Sequence, residues 1–488
     1  MRILRRLLRY LMMTIAVLMV VILLGIGYTQ TSWFKDWLRR YIVREAAQYL
    51  NGELQIGKVS GSLFYGIRMS DISLVQDGET VIALKDLRVD YSAFRLVASG
   101  IVLDEIELNQ PVIRARRTGD GWNLMRLVKR QARERERTGP GRPITLPSIV
   151  IHDGRVRMDR GTETGKTVGQ QIGQVAGQVP TQVTEITDLD VKAAFAYQPV
   201  RFTVDIANIS FKSSSPAMAL NALSGKVAVA GDDINIDRLF IRLPETELKV
   251  SGVVRDYKKS RQFQLQVDSS KTTFREVGVL LPVVRNMAPQ PSFRIKTSGP
   301  LDRLDADVDL QTRDAGTVQG KVTLMLTAQP RRIIGDMNVA RLNLEPWLNN
   351  PQWKGLINGR ARFDLHLPDS KTGVKFGGTY HFVGPDAGAY GYAANDLDAR
   401  GKFEGARVDV TQARARAYGA TLTARDSVVD GTEATGGIRY EFKGRASNVD
   451  MRRVPKQFSV PVLESRIDMD YNLAGRGRNL KATAVLHP

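Results

Sequence analysis

The sequence predicts a mostly β protein behind one N-terminal membrane helix. Three observations carry this. Apolar residues from Glu53 onward recur with period two, in roughly two dozen runs bounded by turn signals such as QDGE, GDD and VDGT. Helical periodicity is scarce over the same stretch. Before it stands an uncharged, mostly apolar run, Leu11 to Tyr28, of 18 residues.

The N-terminal run predicts a membrane anchor. As a helix it spans roughly 27 Å, close to a hydrocarbon core. Arg2, Arg5, Arg6 and Arg9 precede it without an acidic residue. Such a flank stays on the cytoplasmic side and sends the rest of the chain across. A cleaved signal peptide is the rival reading, and GIGYTQTS offers it only a poor cleavage site.

Next comes a predicted amphipathic helix over 29–52. Trp33, Phe34, Trp37, Leu38, Tyr41, Ile42, Ala46, Tyr49 and Leu50 fall on one stripe, and Lys35, Asp36, Arg39, Arg40, Arg44 and Glu45 fall opposite. The stripe caps the core that follows, or it lies on the bilayer with its arginines at lipid phosphates. In the second reading Trp33, Phe34, Trp37, Arg39, Arg40 and Tyr41 form the membrane interface.

The β region then unfolds run by run. RFTVDIANI turns Phe202, Val204 and Ile206 to one face. DINIDRLFIRL turns Ile234, Ile236, Leu239, Ile241 and Leu243; RQFQLQVDSS turns Phe263, Leu265 and Val267. GRARFDLHL does the same with Ala361, Phe363, Leu365 and Leu367, and SRIDMDYNL with Ile467, Met469, Tyr471 and Leu473. Helix is expected only over Asn123 to Arg137 and briefly within Thr273 to Val284, and NLEPWLNNPQW reads as a turn-rich link. The chain therefore divides into an anchor at 1–28, the juxtamembrane helix at 29–52, a β module at 53–160, a flexible linker at 161–184, and β repeats at 185–290 and 291–488.

So few helices cannot cover so much half-apolar strand. The sheet folds on itself around dry cores, or it curls into a trough whose floor meets an apolar ligand. Periodicity alone leaves both open, with the dry core the commoner outcome.

Charge and chemistry narrow the function. A net charge of +19 calls for an anionic partner. Beyond a membrane that partner is a lipid surface and not nucleic acid. With no cysteine, disulfides and thiolate metal sites are excluded. His152, His366, His381 and His487 show no metal-ligand spacing, and neither GxSxG nor a phosphate-binding loop occurs. Asp305, Asp307 and Asp309 share one strand face, as a calcium site or, more commonly, a solvated one. No catalytic residues, metal site or cofactor are expected, and the chain reads as a non-enzyme.

One stretch carries a family likeness. LQIGKVSGSLFYGIRMSDISL at 54–74 resembles the opening of the AsmA-like superfamily, TamB-like chains in particular. ALKDLRVDYS, IVLDEIELNQPVIRARR, GDGWNLMRL and IVIHDGRVRMDR follow in the same order. The likeness covers about the first 160 residues; GIRYEFKGRASNVDMRRVP fits the repeats more loosely. It implies a single-pass inner-membrane protein of a Gram-negative bacterium, with a long curled antiparallel β-sheet groove in the periplasm. Phospholipids would be the cargo, passing between inner and outer membranes. The lining would then be Phe202, Val204, Ile206, Ile234, Ile236, Leu239, Ile241, Phe263, Leu265, Val267, Phe363, Leu365, Leu367, Ile467, Met469 and Tyr471. The likeness also implies an alternative, a scaffold for outer-membrane protein assembly beside a β-barrel of the TamA type. The chain departs from TamB-like proteins in showing no C-terminal domain of their kind; it stops at KATAVLHP with a strand under way, as a fragment or a short relative would.

Overall fold

The computed structural model describes residues 2–62, 66–91, 103–118, 121–129, 143–160, 182–198, 200–279, 284–369, 372–389, 392–432, 437–450, 452–453, 465–476 and 479–487. The fold class is the expected one: mostly β, with 25 strands of largely antiparallel sheet, few helices and an N-terminal apolar helix among the described residues. The chain packs as two compact units, Met1–Gly231 with Ile241–Pro244, and Asp232–Phe240 with Glu245–Pro488.

Helix α1 (Arg2–Thr29) holds the apolar run. Its Met12–Thr29 segment is long and apolar enough to span a membrane or to act as a signal sequence. Helix α2 (Ser32–Tyr49) follows at once. Thr31 caps it, its hydroxyl accepting the Phe34 amide at 3.3 Å.

The first unit continues with β1 (Glu53–Ser62), β2 (Gly66–Gln76), β3 (Glu79–Tyr91), β4 (Leu103–Asn109), β5 (Val112–Thr118), β6 (Gly121–Trp122), β7 (Ile144–Arg160), β8 (Gln182–Gln198), β9 (Arg201–Ser214) and β10 (Ala217–Ala230). Here the sheet departs from the antiparallel expectation. Strands β4 and β5 both run parallel to β7, one after the other along its length. The break between them is Gln110, at φ 51°, whose amide donates to the His152 carbonyl at 2.8 Å. Of the expected helix from Asn123, a 3₁₀ turn forms over Asn123–Arg126, and residues 130–137 lie outside the described chain. So do 161–181 of the expected linker, while 182–184 already belong to β8.

Strand β11 (Asp233–Arg242) is divided between the units. The second unit then runs as β12 (Glu247–Arg255), β13 (Gln262–Lys271), β14 (Ser292–Gly299), β15 (Leu304–Thr312), β16 (Gly316–Met325), β17 (Arg332–Leu342), β18 (Ile357–His366), β19 (Gly377–Ala389), β20 (Tyr392–Glu404), β21 (Arg407–Ala417), β22 (Ala420–Asp430), β23 (Arg439–Asp450), β24 (Arg466–Arg476) and β25 (Asn479–His487). Each strand pairs antiparallel with the next, so the unit is one continuous meander. Pairing passes from β13 straight into β14, across the boundary expected at 290.

Among the described residues two short helices interrupt the meander, α3 (Phe274–Val277) after β13 and α4 (Leu344–Leu348) after β17. The second, with a 3₁₀ turn at Pro351–Trp353, replaces the turn-rich link expected there. Strands β13, β15 and β17 finish at the same end of the sheet, and the helices meet there. The Phe274 and Trp347 rings lie 5.7 Å apart, and Trp347 Nε1 donates to the Ala315 carbonyl at 3.2 Å. Beneath them Ser269, Thr272 and Thr246 are buried, with Ser269 and Thr272 hydroxyls 2.6 Å apart.

Candidate functional site

The cross-strand register turns single-strand periodicity into two continuous surfaces. Residues directly opposite in an antiparallel pair share a face. From Val267 on β13 the register leads through Ile295, Val308, Gly320, Met337, Ala361, Phe382, Ala399, Ala413, Ala424, Gly444 and Tyr471 to Ala484 on β25, with Val250 of β12 on the other side. Fourteen strands contribute, and the Tyr471 hydroxyl is the row's one polar side-chain group.

One residue along, the opposite face is polar at every strand. Gln266 pairs with Lys296, and the row continues through Asp307, Lys321, Asp336, Arg362, His381, Arg400, Gln412, Arg425, Lys443 and Asn472 to Thr483, with Ser251 on β12. Its charges alternate from Lys296 to Arg362, so neighbours attract. Arg294 Nε lies 2.7 Å from Asp268, Arg360 reaches Asp336 at 2.5 Å, and Arg332 pairs with Asp364. These contacts hold the carboxylates of Asp336 and Asp364 below the usual range, through Arg360 and Arg332 respectively. Asp268 is lowered by its Gln266 hydrogen bond and then by Arg294. The Asp305, Asp307 and Asp309 face belongs here. Asp305 accepts from Thr323 at 2.6 Å, Asp307 stands between Lys296 and Lys321, and Asp309 accepts from Gln319 at 2.9 Å. Among the described residues no His, Asp and Glu cluster fits a metal ion.

The apolar face is for the most part only partly buried. Only 18 hydrophobic residues are buried among those described, and none of them is aromatic. A closed core would take its Phe, Leu and Ile first. Instead Phe263, Leu265, Val267, Phe363, Leu365 and Leu367 are all half-buried. Leu265 faces Thr297, and that row proceeds through Ala306, Val322, Gly335, Phe363, Tyr380 and Gly401 to Val410. Leu365 lies in a third row beside Ile333 and Gly378. At the far end Ile467, Met469 and Tyr471 pack on buried Ala420, Ala446 and Val449.

In the first unit Val204 faces Phe195 and Val227, Ile206 faces Ala193 and Gly225, and Phe202, 38% exposed, faces Tyr197 and Val229. On β11, Ile234, Ile236, Leu239 and Ile241 are half-buried, and Arg238 at φ 44° shifts the alternation between Ile236 and Leu239.

Helix α2 divides its apolar stripe in two. Leu38, Ile42 and Val43 pack on buried Ile56, Val59 and Ile72 of β1 and β2. The capping role is therefore real. Val43, absent from the expected stripe, belongs to it. Trp33, Trp37 and Tyr41 face outward at 61%, 44% and 48% exposure. Their rings form a ladder: Trp37 stacks on Tyr41 at 5.5 Å, Phe34 lies 5.5 Å from Trp37, and Tyr28 at the end of α1 lies 5.6 Å from Phe34. Arg39 bonds Asp36 and the Ile56 carbonyl, which ties it to the helix and to β1, while Arg40 pairs with Asp36 at 3.2 Å within the helix.

Sequence periodicity missed the glycines opposite the rings. Gly335 stands across from Phe363, Gly401 from Tyr380, Gly444 from Tyr471 and Gly475 from Tyr440. An isolated glycine at an inward strand position is the available signal, since it marks a close approach.

No protein-family model, curated protein or solved structure matches the chain.

Proposed function

We propose that the chain is a membrane-anchored, non-enzymatic conduit that carries phospholipid acyl chains along its apolar sheet face. The observation that carries this reading is the fourteen-strand apolar row, half-buried at twelve strands, buried at Met337 and exposed at Ala484, and backed by a fully polar row. At about 4.8 Å per strand the row extends on the order of 60 Å. A lipid's two chains held in water face a penalty on the order of 20 kcal/mol, from about 0.8 kcal/mol per methylene. An apolar floor removes much of that while the headgroup stays wet. Because the floor is similar from strand to strand, no single position traps the lipid.

Curling the sheet around such a cargo suits the backbone. Successive strands twist by roughly 20–25°. Bulges at Arg341, Asp396 and Asn448 bend their strands further. The likeness of residues 54–160 to AsmA-like proteins supports the same reading and suggests an inner-membrane anchor with the sheet in the periplasm. Helix α1 supplies an anchor of suitable length, and the ladder of Trp33, Trp37 and Tyr41 then rests on the bilayer surface beside it.

The test is a charge in the floor. Leu265→Arg should leave a protease-resistant, folded protein that no longer co-purifies with phospholipid, because a charge in an apolar path costs several kcal/mol. Local unfolding of β13 and its neighbours would identify a sealed core instead. Retention of lipid by the folded variant would also contradict the conduit.

A further inference from the structure

Four rings of the apolar face, Phe363, Tyr380, Tyr440 and Tyr471, each lie against a glycine of the neighbouring strand. A Cβ placed on Gly335 would overlap the Phe363 ring; one on Gly401 would come within 2.8 Å of the Tyr380 hydroxyl, and one on Gly444 within 2.8 Å of the Tyr471 hydroxyl. Tyr471 reaches beyond its glycine to donate to the Thr423 carbonyl at 3.0 Å, two strands away. Tyr440 crosses Gly475 in the same manner toward the Asn479 carbonyl at 3.5 Å. A ring resting on a neighbouring glycine adds little height to the floor. The same ring over a larger residue must rise into the space above it.

Gly335 differs from the others. At Gly401, Gly444 and Gly475 a Cβ would also strike the carbonyl oxygen of Asp409, Thr423 or Asn479, so the backbone itself excludes a side chain. At Gly335 the three nearest atoms are all Phe363 ring carbons, and its φ lies outside the left-handed region. The ring is the first thing a side chain at 335 would meet.

We propose that Gly335 and Phe363 together set the clearance of the path at β17 and β18, admitting slender acyl chains and excluding bulkier apolar ones. This rests on the conduit reading and adds a selectivity position to it. Gly335→Leu lifts the ring into the path. Phe363→Ala removes the ring and widens it.

The full-length protein, carrying a photo-crosslinking residue at Val322 beside Gly335 in the same row, is equilibrated with vesicles of palmitoyl-oleoyl phosphatidylethanolamine and phosphatidylglycerol. Gly335→Leu should lower lipid capture about tenfold, the loss of roughly two methylene contacts. Adding Phe363→Ala to it should restore capture. In vesicles of methyl-branched diphytanoyl lipid, the wild type should capture little and Phe363→Ala alone should capture it readily. Protease resistance checks each fold, and the Phe363→Ala arm stands even where Gly335→Leu fails to fold. Equal capture by wild type and folded Gly335→Leu, or equal treatment of branched lipid by wild type and Phe363→Ala, overturns the proposal while leaving the conduit intact. No lipid capture by the wild type removes the conduit reading and this proposal with it.

Discussion

The Asn448 amide donates to Asp468 Oδ1 at 2.8 Å, across the β23–β24 pair. Asn448 sits at φ 59° inside a strand, where the register shifts between Ala446 and Val449. A bulged residue leaves the hydrogen-bond ladder, and its amide needs another acceptor. The same solution recurs at Arg341, whose amide meets Asn358 Oδ1 at 2.7 Å, and at Asp153, which meets Asp190 Oδ1 at 3.3 Å. Asp468→Ala should therefore cost about 1–2 kcal/mol locally. Hydrogen exchange at the Asn448 amide should quicken about tenfold on that scale, and unchanged protection would show that the side chain does not hold the bulge.

The two sides of α2 should separate under mutation. Ile42→Ala removes packing from Ile56, Val59 and Ile72 and should destabilise the β1–β2 region by about 1–3 kcal/mol. Trp37→Ala touches no buried cluster. It should leave thermal unfolding nearly unchanged while weakening bromolipid quenching of the remaining tryptophans in reconstituted protein. Quenching that is absent already in the wild type would return the aromatic ladder to a purely structural role.

The wet face predicts the acid response. Asp268, Asp336 and Asp364 titrate below the usual carboxylate range in the folded protein. A depressed folded pKa stabilises above the unfolded value, near 3.9, and that stability is lost as pH falls through the folded value. Stability should thus hold from neutrality to about pH 4 and fall below it. All three pairs are solvent-exposed, so each contributes modestly. Asp364→Asn should lessen the acid-dependent loss, measured by circular dichroism against pH; a fall in stability between pH 7 and 5 would point to other groups.

Much of this architecture is legible in single strands. Leu265 alternating with Gln264 and Gln266 already states which residue faces which side, and the structure keeps that order. What one strand cannot state is its partner's register. Ala399, Ala413 and Ala424 carry little signal alone, yet the pairing sets them between Phe382 and Tyr471. Aspartates inside strands, such as Asp153 and Asp396, resemble turn residues because the αL conformation is read as a turn, whereas here they bulge a continuing strand. The α2 stripe is broad, with Trp37 and Leu38 about 100° apart around the helix; only the position of β1 and β2 assigns Leu38 to the core and Trp37 to the outside.

The most direct measurement places photo-crosslinking residues in turn at Val267, Ala361, Ala413 and Ala484 of the apolar row, and at Gln266, Arg362, Gln412 and Thr483 of the polar row. Mass spectrometry of the adducts in native membranes reads the occupant. The conduit predicts phospholipid at all four apolar positions and little at the polar four. Equal capture on both faces, capture confined to one apolar position, or polypeptide adducts in place of lipid would contradict it.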